Sequence, residues 1–197
     1  MNVLHIDSSI FGSQGVSSQL SARLLERLRA DGATITSRSF AAQPVPHLDG
    51  AHLTALMTPV TDRSAEQQAL ADYSDKLIAE VQAADLLVIG VPMYNFTVPS
   101  MLKSWFDHIA RAGVTFRYTA NGPEGLLKGK KAVLLFSRGG LYLGTPADSQ
   151  SGFVTSFLNF IGITDIEKIY AEGLSMGEEP RTKALTAAHA AIDALEV

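Results

Sequence analysis

The sequence contains no cysteine. That absence removes disulfides, thiolate catalysis, cysteine-ligated zinc and iron–sulfur clusters from the chemistry open to this chain. It is compatible with a reducing compartment. Charge is also scarce: Asp, Glu, Lys and Arg make up 18% of the residues, and the net charge is −4. The densest basic group is Lys128, Lys130 and Lys131, which reads as a solvated turn before a strand. Nucleic acid binding needs a clustered basic surface and is not expected. No apolar run is long enough to span a bilayer, so no membrane segment is expected. The chain opens Met1-Asn2-Val3-Leu4-His5, without a basic leader, so no signal peptide is expected and a cytoplasmic location is read. None of His5, His47, His52, His108 and His189 stands at a metal-ligand spacing, so no metal site is expected.

What is present is an apolar chain, 46% hydrophobic over 197 residues. A chain of that size buries roughly 70% of the surface its unfolded form exposes. Strand-like and helix-like segments alternate from end to end. Val3–Ile6 is a short apolar run suited to a strand covered on both faces, Leu86–Val91 and Ala132–Phe136 read as central strands, and Ile166–Ala171 is a fifth strand. Thr34–Phe40 alternates like a half-buried edge strand. Leu20, Leu24 and Leu28 recur at helical spacing, as do Phe153, Phe157 and Phe160. Ser64 and Gln67 form a capping-box pattern before a helix expected to reach about Ala84. Pro99 is expected to be the first residue of a further helix, and Gly113 to close it. A short helix is expected near Ala51–Met57, a turn at Asn121-Gly122-Pro123, and a final helix over Arg181–Leu195.

This pattern predicts an α/β fold. Residues 1–197 would form one domain, a three-layer sandwich with a five-stranded parallel sheet and helices on both faces. Such folds bind ligands at the carboxyl ends of the strands, where the strand order switches. The loops after strands one, three and four are therefore the places to look for chemistry.

The first loop, Asp7 to Ser18, is rich in hydroxyls and glycine and runs into a helix. A helix N-terminus presents free N–H groups and a partial positive charge, which suits an anion. The loop contains no Lys or Arg, so it would hold a phosphate by neutral dipoles; an ordinary loop with a serine cap reads equally well. It is neither a P-loop nor a G-x-G-x-x-G fingerprint. The third loop, Pro92 to Pro99, places Met93, Tyr94, Asn95 and Phe96 at the mouth of a central strand. These suit a flat, partly apolar ligand, although packing of the strand end accounts for them slightly better when they are taken alone. The fourth loop, Ser137-Arg138-Gly139-Gly140, is either a tight turn or a close backbone approach to a ligand. Three such loops at three strand ends say more than any one of them. Gly173-Leu174-Ser175-Met176-Gly177 matches a nucleophile elbow, but only His189 follows, inside an Ala-rich helix. A plain loop is the better reading.

Pro92-Met93-Tyr94-Asn95-Phe96, Arg111 to Tyr118, Asn121 to Leu126, Ser137-Arg138-Gly139-Gly140, Phe160-Ile161-Gly162-Ile163 and Ala171-Glu172-Gly173 together resemble the bacterial FMN-dependent NADH-azoreductases. These belong to the flavodoxin-like quinone reductase superfamily. The motifs span essentially the whole chain in the family's order. The resemblance implies that Ser9 and the turn Gly15-Val16-Ser17 hold the FMN phosphate. Family members are usually more polar in that turn, and Gly15 and Val16 offer only backbone donors. By the same resemblance Met93, Tyr94, Asn95 and Phe96 line one side of the isoalloxazine, and Ser137, Arg138, Gly139 and Gly140 cover its other edge. Tyr118 and Phe160 match aromatics that the family places over the flavin, some from a partner subunit.

The implied activity is FMN-dependent reduction of quinones and aromatic azo compounds, with NADH or NADPH as co-substrate. FMN carries the redox chemistry, and no catalytic acid or base is expected from the chain. Donor and acceptor would share one platform, which predicts ping-pong kinetics. A homodimer with FMN at its interface is implied, and Phe153, Phe157 and Phe160 look like aromatics beyond the needs of one small core. The competing reading is a flavodoxin-type electron carrier, usually a shorter and more acidic protein. Arg63 and Arg117 are the candidates for biasing the choice of nicotinamide.

Overall fold

The computed structural model describes residues 1–196. In chain order the elements are β1 (Asn2–Asp7), α1 (Val16–Ala30), β2 (Thr34–Ser39), α2 (Gly50–Met57) and α3 (Ala65–Ala83). There follow β3 (Leu86–Pro92), α4 (Ser100–Ile109), β4 (Phe116–Thr119), β5 (Gly122–Gly125), β6 (Lys131–Ser137), α5 (Ser149–Ile161), β7 (Asp165–Ala171) and α6 (Glu178–Asp193). Five strands make one parallel sheet in the order β2-β1-β3-β6-β7. This is the flavodoxin-like order, with its switch point between β1 and β3.

Strand residues alternate between two apolar layers. Val3, Leu86, Val88, Val133 and Leu135 pack with Leu20, Leu24 and Leu28 of α1 and Ala188 and Ile192 of α6. Leu4, Ile6, Leu87, Ile89, Leu134 and Phe136 face the other way, onto α3, α4 and α5. Each fully buried leucine of α1 is worth about 1.5–3 kcal/mol, so the leucine stripe is what holds that helix to the sheet. β2 lies at the sheet edge, as expected, but its residues are exposed or half-buried without the expected alternation. The capping box is present: Ser64 Oγ accepts from Gln67 N, and Gln67 Oε1 accepts from Ser64 N.

Several expectations shift. Pro99 is the cap before α4 rather than its first residue, and α4 ends at Ile109, well before Gly113. Gly113, at φ +77°, instead turns the chain toward β4. β4 and β5 form an antiparallel hairpin that the sequence does not announce, since its two four-residue strands carry Gly122, Pro123 and Gly125. Gly125 is needed there because a Cβ would lie 2.1 Å from Gly162 N, at the end of α5. α6 starts at Glu178, three residues before Arg181, the expected start. His5 is only half satisfied: Nδ1 lies 3.3 Å from Ser37 Oγ, and Nε2 is buried without a partner. Lys130 donates to the carbonyls of Gln82 and Ala84, and Lys131 to that of Glu196, so these cations serve the chain itself.

Candidate functional site

The first loop is organised by Asp7, the last residue of β1. Its buried Oδ1 accepts from Ser9 N at 3.2 Å and from Ser18 Oγ at 2.6 Å, and Oδ2 accepts from Ser39 Oγ at 3.3 Å. One carboxylate thus ties β1, the first turn of α1 and the end of β2 together. The cap of α1 is Gly15, which makes no side-chain cap bond, so the serine-capped loop is not what forms. The first N–H groups of the helix are left without intrahelical partners. Gly15 has ordinary backbone angles, φ −67° and ψ 143°, but a Cβ there would stand 2.1 Å from Ser9 Oγ. Close approach, not conformation, demands the glycine. Ser17 is turned inward: its hydroxyl is buried without a partner, and its side chain packs beside Gly90 of β3.

The third loop is a tight turn. Tyr94 N donates to Thr97 O at 3.0 Å and Thr97 N to Tyr94 O at 3.2 Å. Asn95 and Phe96 between them have φ +49° and +68°. Two left-handed central residues are the signature of a type I′ turn, which asparagine tolerates and phenylalanine adopts only at a cost. Phe96 is 57% exposed, and its ring meets Tyr142 edge-on at 5.8 Å. Backbone strain of this kind persists where the surroundings over-determine it, often at ligand clamps.

The fourth loop is anchored by Arg138, whose guanidinium is fully buried. Nε donates to Gln150 Oε1 at 3.1 Å, Nη1 to Glu172 Oε1 at 3.0 Å, and Nη2 to Asp148 Oδ1 and Ser151 Oγ, both at 2.8 Å. The guanidinium carbon sits 4.9 Å from the Phe136 ring centre and 5.1 Å from that of Tyr170. Burial pushes the Asp148 carboxyl up, but hydrogen bonds from Ser151 and Arg138 outweigh it and hold it below its ordinary value. Glu172 Oε1 also accepts from the backbone of Tyr142 and Leu143. The charge of Arg138 is therefore spent inside the fold, which leaves only its main chain for a ligand.

These loops converge. Ser9, Gly15, Val16, Met93, Tyr94, Ser137, Arg138 and Gly139 line one cavity of about 260 Å³ at the carboxyl ends of β1, β3 and β6. Beyond Tyr94 lies a larger, mostly apolar groove of about 690 Å³, bordered by Ile10, Asn95, Val98, Pro99 and Phe153. Gly140 and Phe96 both adjoin Tyr142. A family model for the flavodoxin-like fold matches residues 1–195. A protein of Cellvibrio japonicus, named FMN-dependent NADH:quinone oxidoreductase, is 54% identical over 179 residues, 90% of each chain.

The chain belongs to this flavodoxin-like family.

Another member, from Burkholderia thailandensis and carrying the same name, is 51% identical over 195 residues, 98% of each chain. Among solved structures, an azoreductase from Bacillus anthracis superposes with a TM-score of 0.90 at 27% identity, covering 98% of this chain and 96% of that one.

Two of the sequence candidates stand apart from the flavodoxin-like cleft within one chain. Tyr118, 76% exposed, and Phe160 both contact Phe116 of the hairpin, with ring centres 5.5 and 4.2 Å away. Phe153 and Phe157 are half-buried against Phe106, so these rings serve the core of the same chain. Arg63 donates to Thr58 O, and Arg117 pairs with Glu124; neither lines the cavity. Conversely, sequence reasoning missed Asp7, Gln150, Glu172 and Arg181. Asp7 had a signal, an acid at a strand end just before two serines. Glu172 had a similar signal, an acid directly after β7 in the Ala171-Glu172-Gly173 motif, whereas Gln150 and Arg181 are brought to the loops by folding alone.

Proposed function

We propose that this chain is an FMN-dependent oxidoreductase that takes two electrons from NADH and passes them to a quinone or an aromatic azo compound. The observation that carries this reading is the single cavity shared by the Gly15 turn, the Met93–Tyr94 segment and the Ser137–Gly139 segment. The names of the 50–54% identical relatives support it. The residues fit the cofactor. The open end of α1, glycine-built and free of a side-chain cap, suits a phosphate, and Ser9 stands beside it. Met93, Tyr94, Asn95 and Phe96 suit one side of a flat ring system, and Ser137, Gly139, Gly140 and the main chain of Arg138 suit its other edge. Ser17 would take part through its backbone.

Bound FMN supplies the two-electron chemistry. The chain's own work is to bind and orient. Asp7 holds the phosphate turn in place, the Arg138 cluster holds the third and fourth loops, and the apolar groove beside Tyr94 keeps water from the reacting faces. Donor and acceptor would use the same platform in turn. A homodimer in a cytoplasmic setting belongs to the same proposal, with Tyr118 and Phe160 meeting a partner's flavin. Ile10, Phe11, Phe96, Leu141 and Leu143, all exposed on loops at one edge of the sheet, support a covered surface there.

The test is anaerobic. The protein is mixed with FMN, NADH is added, and the flavin absorption band is followed. Bleaching that a quinone reverses, with parallel lines in two-substrate kinetics, is the expected result. A band that NADH leaves unchanged would move the chain to the electron-carrier reading. Light scattering at micromolar protein checks the dimer, and a monomer would remove it.

A further inference from the structure

The phosphate turn of this chain has a deficit that its fold repairs from elsewhere. Between Asp7 and Ser18 there is no cation, Gly15 and Val16 bring no polar side chain, and the Ser17 hydroxyl is turned into the sheet. The carboxylate of Asp7 lies beneath the turn, so the local field is not favourable to an anion by side-chain charge. Two arginines line the adjoining cavity, Arg138 and Arg181. Arg138 is neutralised by Asp148 and Glu172. Arg181 is not. Its guanidinium makes one long contact, Nη1 to Leu174 O at 3.4 Å, and no ion pair among the described residues.

Arg181 sits in the first turns of α6, which packs on the same face of the sheet as α1, in the same apolar cluster. Their N-terminal turns therefore open side by side at the carboxyl edge, and Gln14, Gly15, Val16 and Arg181 share one cavity wall. The third loop follows β3 toward the α3, α4 and α5 side. We propose that Arg181 is the counter-ion of the FMN phosphate, supplying from α6 the charge that the turn before α1 lacks. Glu178 and Glu179 precede it on the same helix but do not pair with it, so its donors are free to face an anion. The inference rests on the FMN reading above and deepens it, because it makes the affinity depend on the phosphate through one exposed cation.

The experiment compares FMN with riboflavin, which lacks the phosphate. Apo-protein is titrated with each flavin by fluorescence quenching at low and at physiological salt, for wild type, Arg181→Gln and Arg181→Lys. Wild type is expected to prefer FMN. Arg181→Gln is expected to weaken FMN about five- to tenfold, the low end for a hydrogen bond to a charged group once solvent screening is allowed for. Riboflavin affinity is expected to stay unchanged, Arg181→Lys to keep most of the preference, and the salt dependence of FMN binding to flatten in Arg181→Gln. If Arg181→Gln keeps the wild-type ratio of FMN to riboflavin affinity, the inference is overturned. It is equally overturned if only the KM for NADH moves, since the cation would then serve the nicotinamide. A wild type that binds neither flavin removes the FMN reading itself, and this inference with it.

Discussion

Arg138 Nε donates to Gln150 Oε1 at 3.1 Å, and that contact joins the fourth loop to the first turn of α5. The amide nitrogen of Gln150 donates onward to Pro92 O at 2.8 Å, where the third loop begins, and to Thr97 O at 3.0 Å, where its turn closes. One buried amide thus sets the position of the Tyr94–Phe96 turn relative to the Ser137–Gly140 turn. Gln150→Leu leaves two carbonyls and one guanidinium N–H unmatched in the interior. We expect a loss of about 2–4 kcal/mol in urea unfolding, together with weaker FMN binding. Wild-type behaviour in both measurements would show that the two loops are positioned by something else.

Phe96 holds a backbone conformation that costs a residue with a side chain about 1–2 kcal/mol. Phe96→Gly removes that cost while giving up a ring that is more than half exposed. Stability is expected to rise by about 1 kcal/mol, and FMN affinity to fall several-fold as the aromatic wall is lost. A drop in thermal stability would mean that the ring's contact with Tyr142 outweighs the strain.

Gly15 is confined by Ser9. Gly15→Ala places a methyl group 2.1 Å from Ser9 Oγ in the present geometry, so the turn must shift. FMN affinity is expected to fall at least about tenfold, roughly 1.4 kcal/mol. The pair Gly15→Ala with Ser9→Gly clears the collision and is expected to recover part of the loss. Unchanged FMN binding in the single variant would place the phosphate elsewhere.

His108 links the connection after β2 to the helices beneath it. Its Nδ1 lies 2.8 Å from Ser74 Oγ and its Nε2 3.1 Å from Pro46 O, an arrangement in which the neutral ring donates from Nε2 and accepts at Nδ1. Burial pushes its pKa below the ordinary 6.5, as it does for His5. The unfolded chain therefore takes up protons first as pH falls. The stability these rings confer is complete above about pH 6.5 and is lost as pH falls through the lowered native values. Urea midpoints measured between about pH 8 and 5 should decline, and His108→Gln should flatten that decline. An equally steep decline in the variant would assign it to other groups.

The sequence by itself determined the parallel sheet, its central strands and its edge strand β2, the leucine stripe of α1 and the three loops that meet at the cleft. Those features are local: burial on both faces leaves continuous apolar runs, a helix leaves a period near four, and a loop running into a helix leaves glycine and serine before it. Tertiary structure alone decided the rest. The β4–β5 hairpin is made by glycine fitting against Gly162, which no periodicity records. Arg138 reads in sequence as a ligand for the flavin edge, yet its charge is claimed by Asp148 and Glu172, ten and thirty-four residues away. Arg181, inconspicuous in a charged helix start, becomes an unpaired cation on the cavity wall because α1 and α6 share one face of the sheet. Side-chain partners are set by which surfaces pack together, and that choice is made by the whole core rather than by neighbours along the chain.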